Sequence, residues 1–306
     1  MSTFSCAVSI DLDEIPHYFS IHGLRGATPS AASAVYDVAL TRILAWAAGL
    51  RLPLTLFVVG ADLNRPANAR ALQPFVTRQD EFANHSFDHP YDWARRTPQE
   101  QSGQISRANQ AIEASTGARP VGFRAPGYAI SNATVAMLTQ LGFRYDSSLF
   151  PCPAYYLGKA STLAAIGLRG RRSASVLGDP RALLAPTQPY RIGSDFWRPS
   201  RENDGLWEIP IQVTRYGRWP FLGTTLTWGG VAIRHALLQG VVGCPVINLE
   251  LHGIDFLDVD DGLRDLCSYQ PGLSVPHREK IGRLTAVVET LQQAAYALVR
   301  LRDLAP

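Results

Sequence analysis

Two short stretches place chemistry-bearing side chains at suggestive spacings: "SIDLDE" at residues 9–14 and "NHSFDHP" at residues 84–90. On an extended chain, residues two apart project to the same side, so Asp11 and Asp13 leave the first stretch together. Carboxylates that close repel and disturb each other's protonation unless a cation sits between them. His85 and His89 stand four apart, and on a helical turn they point the same way. Two imidazoles and one carboxylate make a three-ligand metal site with a position left open for water. The second carboxylate is then free to act as a general base. Glu14 offers a substitute for either aspartate. The plainer alternatives are a solvated carboxylate pair at a loop start and a histidine-bearing surface loop.

Further along the chain, Arg124 lies in "RAPGY" (124–128), Asp146 in "RYDSS" (144–148) and His252 in "LELH" (249–252), with Asp255 three residues later. Arg124 also reads as a strand-end arginine in an ordinary ion pair, and His252 as a satisfied core histidine. His17 and His22 read as loop or substrate-contact residues rather than ligands. Trp197, Trp207, Trp219 and Trp228 could stack on a sugar ring or simply pack.

The elements that must position these residues follow from periodicity and punctuation. Strands are expected at 6–11, 52–60, 81–86, 120–127, 143–146, 206–213 and 245–251. Helices are expected at 32–50, 67–78, 97–117 and 132–143, with a long closing helix over 275–303. Thr97, Pro98, Glu100 and Gly117 mark the start and stop of the third helix. Strands alternating with helices imply parallel βαβ units. About seven such units predict an α/β fold of distorted (β/α)7-barrel type, whose chemistry belongs at the C-terminal strand ends. Asp11, Asp13, His85, His89, Arg124, Asp146 and His252 all fall at those ends. Residues 150–205, rich in Pro, Gly, Arg and Ser, read as a long irregular excursion, and one catalytic domain is expected over 1–306. Within the excursion, residues 153–175 have an apolar, aromatic front and a basic back. That suits a segment on an anionic membrane, and equally a lid with a basic solvent edge.

The composition sets outer bounds. Of 306 residues, 46% are hydrophobic and 18% charged, with a net charge of +3. No basic run is dense enough for nucleic acid. Four scattered cysteines without a C-x-x-C pair suit a reducing compartment. The N-terminal stretch has no basic region followed by an apolar one, so it reads as lacking an export signal, and a cytoplasmic location is expected.

"SIDLDE", "HSFDH", "RAPGY" and "LELH" occur in the order of the motifs of the polysaccharide deacetylase superfamily, carbohydrate esterase family 4, which the chain resembles over roughly residues 5–255. The resemblance implies a distorted barrel, one divalent metal ion, often zinc, and hydrolysis of an N-acyl group from an amino sugar. It implies Asp11 as base, Asp13, His85 and His89 as metal ligands, and Arg124 as the group that orients the base. It further implies the N–H of Gly127 or Tyr128 as oxyanion donor, His252 as general acid, and Asp146 as the partner of that histidine. Asp255 is a second candidate for that partner. Leu12 separates the two aspartates that are commonly adjacent in the family. The spaced form resembles the subset with intracellular peptidoglycan-type deacetylases and the aminoarabinose-lipid deformylase, so soluble and lipid-carried amino sugars both stand as expected substrates. The rival expectations are a metal-independent ring amidohydrolase of allantoinase or cyclic-imidase type, an inactive glycan- or lipid-binding module, and a metallophosphoesterase.

Overall fold

The computed structural model describes residues 4–24, 26–28 and 31–305. The strands among them are β1 (Ser5–Asp11), β2 (Leu54–Val58), β3 (Glu81–Asn84), β4 (Gly122–Phe123), β5 (Tyr145–Asp146), β6 (Tyr190–Arg191), β7 (Trp207–Glu208), β8 (Val246–His252) and β9 (Ala297–Val299). They form one curled sheet in the order β6-β7-β5-β4-β3-β2-β1-β8. All neighbours are parallel except β6 and β7. The gap between β7 and β8 is bridged by irregular chain: the Gln212 N–H donates to Asn248 O at 3.1 Å, and Leu222 pairs with Glu250. The fold is thus the expected distorted barrel, closed on one side by loops.

Alternation along the central strands decides what faces the site. In β1, Cys6, Val8 and Ile10 pack under the helices, as do Leu54, Leu56 and Val58 of β2 and Ile247, Leu249 and Leu251 of β8. The intervening residues therefore face the barrel interior: Ala7, Ser9 and Asp11; Thr55 and Phe57; Asn248, Glu250 and His252. Towards the base of the barrel, Ala7, Phe57, Ala83, Tyr145 and Ile209 pack together with Leu301 and Ala305 of the C-terminal tail. Above that plug the interior is polar, because it is filled by side chains that bond one another.

The helix Pro98–Thr116 has the expected capping box, with Thr97 and Glu100 bonding each other's backbone, and ends at Gly117 with φ 72°. Such caps satisfy backbone groups the helix cannot satisfy itself. The expected helix over 275–303 is corrected. It spans His277–Gln293 only, and after Ala295 at φ 64° the chain returns as β9 beside β1. Within the excursion, Pro153–Leu168 is helical. Among the described residues, no helix is long and apolar enough to cross a membrane.

Candidate functional site

At the C-terminal mouth of the barrel the ladder runs on beyond the strands. Leu12 N–H donates to Phe57 O at 3.0 Å, His85 N–H to Val58 O at 3.1 Å and Arg124 N–H to Asn84 O at 3.0 Å. Asp13, His85 and Arg124 are thereby carried on rigid backbone. Leading on from β3, the chain does not make the helical turn expected of an i, i+4 histidine pair. Ser86 and His89 adopt left-handed φ values of 65° and 52°, a conformation that costs of order 1–3 kcal/mol per non-glycine residue. Local bonds hold it: Asn84 Oδ1 accepts Ser86 N–H at 2.7 Å, and Ser86 Oγ accepts His89 N–H at 3.1 Å. The Phe87 and Asp88 N–H groups both donate to Gln104 Oε1.

The result is a triangle of buried atoms. Asp13 Oδ1 lies 3.2 Å from His85 Nε2 and 3.3 Å from His89 Nε2, and the two imidazole nitrogens are 3.1 Å apart. Ligands about 2.0–2.1 Å from a tetrahedral ion are separated from one another by roughly 3.3 Å. His85 Nδ1 is 2.7 Å from Arg124 O. That carbonyl can only accept, so the proton sits on Nδ1 and the Nε2 lone pair faces the triangle. Asp13 Oδ1 has no hydrogen-bond partner, and His89 presents Nε2 to the triangle, which leaves the proton to its Nδ1. An acid and two imidazoles converging with lone pairs unused fit a divalent cation. Burial works against the Asp13 carboxylate, but the tightly coupled acid–imidazole cluster as a whole outweighs burial and holds its pKa far below the usual range. Burial drives the His89 imidazole well below its ordinary value, the direction that favours the neutral form needed for metal binding.

Asp11 stands beside the triangle, its Oδ2 3.6 Å from His85 Nε2. The fully buried Arg124 reaches it through Nη1 at 2.5 Å. The remaining donors of the same guanidinium bind Ser9 Oγ at 3.0 Å, Ser147 Oγ at 2.9 Å and Ser147 O at 2.9 Å, and its face lies 4.0 Å from the Phe57 ring centroid. A planar fork so tied has one orientation, and it sets that of Asp11. His252 Nε2 is 3.9 Å from Asp11 Oδ2 and 3.9 Å from Glu250 Oε1. Burial pulls the imidazolium down, but Glu250, Asp11, Asp13 and Asp255 raise it to about 9.

Three expectations are revised by this geometry. Asp146 does not reach His252. Its carboxylate accepts from Ser148 Oγ at 2.7 Å, and Ser148 Oγ in turn accepts Ala125 N–H at 2.7 Å. Asp146 therefore supports the loop after Arg124, while Glu250 and Asp255 flank His252. Glu14 faces away from the triangle and caps the next turn through the N–H groups of Val35 and Tyr36 at 3.1 and 3.2 Å. Of the two expected amide donors, Tyr128 N–H is used on Ala125 O at 3.1 Å, which leaves Gly127. Gly127 and Tyr128 both sit at φ 62°, and a side chain at 127 would crowd Tyr91.

Sequence reasoning passed over Glu250 although "LELH" contains it. Its carboxyl is fully buried, accepts the Tyr128 hydroxyl at 2.7 Å, and is pushed up to about 7, chiefly by burial. The signal was the alternation itself: in a strand under helices, every second residue of "VINLELH" from Asn248 onward is polar. Above these groups lies a cavity of about 370 Å³, lined by Asp11, Asp13, His85, His89 and His252 and walled by Tyr18, Tyr91, Tyr128 and Tyr155. No tryptophan lines it among the described residues. His22 lies at its edge; His17 packs at a tilt against His89, 4.6 Å between centroids.

Residues 35–145, which include both histidines and Arg124, match the family model for polysaccharide deacetylase. A peptidoglycan deacetylase-like protein of Gibberella zeae, FGM2, is 36% identical over 112 residues, covering 36% of this chain and 32% of that protein. A peptidoglycan deacetylase of Helicobacter pylori is 25% identical over 145 residues, covering 47% of this chain and 48% of that protein. The chain thus matches less than half the length of these curated relatives. A Mycobacterium smegmatis structure, provisionally described as a polysaccharide deacetylase, superposes with a TM-score of 0.62 at 17% identity, covering 99% of this chain and 90% of that one. Over these stretches the chain is similar to polysaccharide deacetylases, and the solved structure shares its fold.

Proposed function

We propose that this chain is a single catalytic unit that uses one divalent metal ion, zinc first among the candidates, to hydrolyse an N-acyl group, acetyl or formyl, from an amino sugar. The observation that carries the reading is the triangle of Asp13, His85 and His89 with unused lone pairs, set beside an aspartate aimed by a buried arginine. A cation held there would polarise the acyl carbonyl and lower the pKa of water toward neutrality. Asp11, oriented by Arg124, takes the proton as water attacks the carbonyl carbon. The Gly127 N–H donates to the oxygen on which negative charge develops. His252, kept as imidazolium by Glu250 and Asp11, gives its proton to the nitrogen as the C–N bond breaks. A carboxylic acid and a free amino sugar result, and the proton held by Asp11 restores His252.

The helix Pro153–Leu168 roofs the cavity with Tyr155, Lys159, Thr162 and Leu163 and turns Leu157 and Leu168 outward near Arg169, Arg171 and Arg172. That outer face supports peripheral contact with an anionic membrane and hence a lipid-carried substrate. The test is a screen for acetate and formate release from soluble and lipid-linked N-acyl amino sugars, with and without chelator. Release should stop with chelator and return with added metal, and Asp11→Asn should lower it at least ~10²-fold. Chelator-resistant release, or full activity in Asp11→Asn, overturns the reading.

A further inference from the structure

Among its 29 basic residues the chain has two lysines, Lys159 and Lys280. Lys280 is buried with Asp255, Asp258 and Asp261 around it, and it donates to Ile254 O at 3.2 Å. Lys159 is placed quite differently. It is the one Lys or Arg lining the cavity among the described residues. Its Nζ donates to Gly127 O at 3.2 Å and lies 5.4 Å from the Tyr155 ring centroid. No carboxylate pairs with it among the described residues, and burial alone lowers its ammonium to about 8. A largely desolvated cation without a counter-ion is unfavourable unless something supplies one.

We propose that Lys159 binds an anionic group on the substrate, so that the amino sugar carries a phosphate or carboxylate near its N-acyl group. The inference rests on the amino-sugar reading above and narrows it. Gly127 joins the two places, since its carbonyl holds Lys159 while its N–H belongs to the acyl end. Lys159 lines the same cavity as the Asp13, His85 and His89 triangle. The competing role for Lys159 is a latch that merely ties the roofing helix to the barrel rim.

Binding of products separates these roles without requiring turnover. Metal-loaded protein is titrated calorimetrically with glucosamine, glucosamine 1-phosphate and muramic acid, for wild type, Lys159→Met and Lys159→Arg. Wild type should bind at least one charged sugar tenfold or more tighter than glucosamine, and which one it prefers identifies the anion. Lys159→Met should erase that preference and leave glucosamine binding unchanged, and Lys159→Arg should keep most of it. Equal wild-type affinity for charged and neutral sugars, absence of binding to all three, or a preference that survives in Lys159→Met overturns the proposal. An equal loss for all three sugars in Lys159→Met assigns the latch and overturns it too. A charged-sugar preference in a protein that releases no acyl group would count against N-acyl hydrolysis and leave the anion site standing.

Discussion

Asp258, Asp261 and His277, like Asp13, His85 and His89, bring three ligand-type atoms within 4.8 Å of one another. In the first trio every carboxylate is occupied. Asp258 accepts His277 Nδ1 at 2.8 Å, His277 N–H at 2.7 Å and Asp260 N–H at 3.0 Å. Asp261 is gripped by both Arg42 Nη groups at 2.7 and 2.8 Å and accepts Asp258 N–H at 2.9 Å. In the second trio Asp13 Oδ1 has no partner. Donor types and proximity are shared; what differs is whether the protein has already used the lone pairs. A buried acceptor left unsatisfied costs about 1–3 kcal/mol, so a fold keeps such a group where a ligand can repay it.

The comparison can be broken first at its histidines. His252→Ala, beside the open trio, should lower turnover at least ~10²-fold while metal content stays unchanged. His277→Ala, in the closed trio, should leave turnover intact and lower stability by about 1–3 kcal/mol, read as a shifted urea midpoint. Equal losses of activity in the two variants would erase the distinction.

A smaller effect sharpens it. The acid form of His252 exists below about 9 and is lost as pH rises through that value. Glu250 is the first of the groups that raise it. Glu250→Gln should therefore move the alkaline limb of the kcat/KM profile to lower pH, by about one unit or more. Glu250 itself titrates near 7, so the two profiles should converge below that pH and separate above it. An unmoved limb would remove Glu250 as the partner of His252.

The trio and its neighbours were largely legible in the sequence because each sits where a strand ends. Asp11 and Asp13 extend the inward alternation of β1, and His85, Arg124 and His252 occupy equivalent places on β3, β4 and β8. What could not be read depends on long-range contacts. The histidine pair converges through left-handed residues locked by Asn84, Ser86 and Gln104, which no helical period describes. Asp146 lies at a strand end like the rest, yet Ser148 and Glu208 draw its carboxyl away from the mouth. The closing helix was overextended because its apolar rhythm runs into β9, and only pairing with Ser5–Ala7 distinguishes the two. The cover over the cavity was legible as an irregular excursion, but which of its side chains turn inward was set by the barrel beneath.

The most direct measurement is metal stoichiometry by elemental analysis of wild type, Asp13→Asn and Asp258→Asn, each purified identically and dialysed against the same trace of zinc. The geometry predicts one ion per chain in wild type and Asp258→Asn, and none retained in Asp13→Asn. A full equivalent in Asp13→Asn, or its loss in Asp258→Asn alone, would contradict the assignment of the open trio as the metal site.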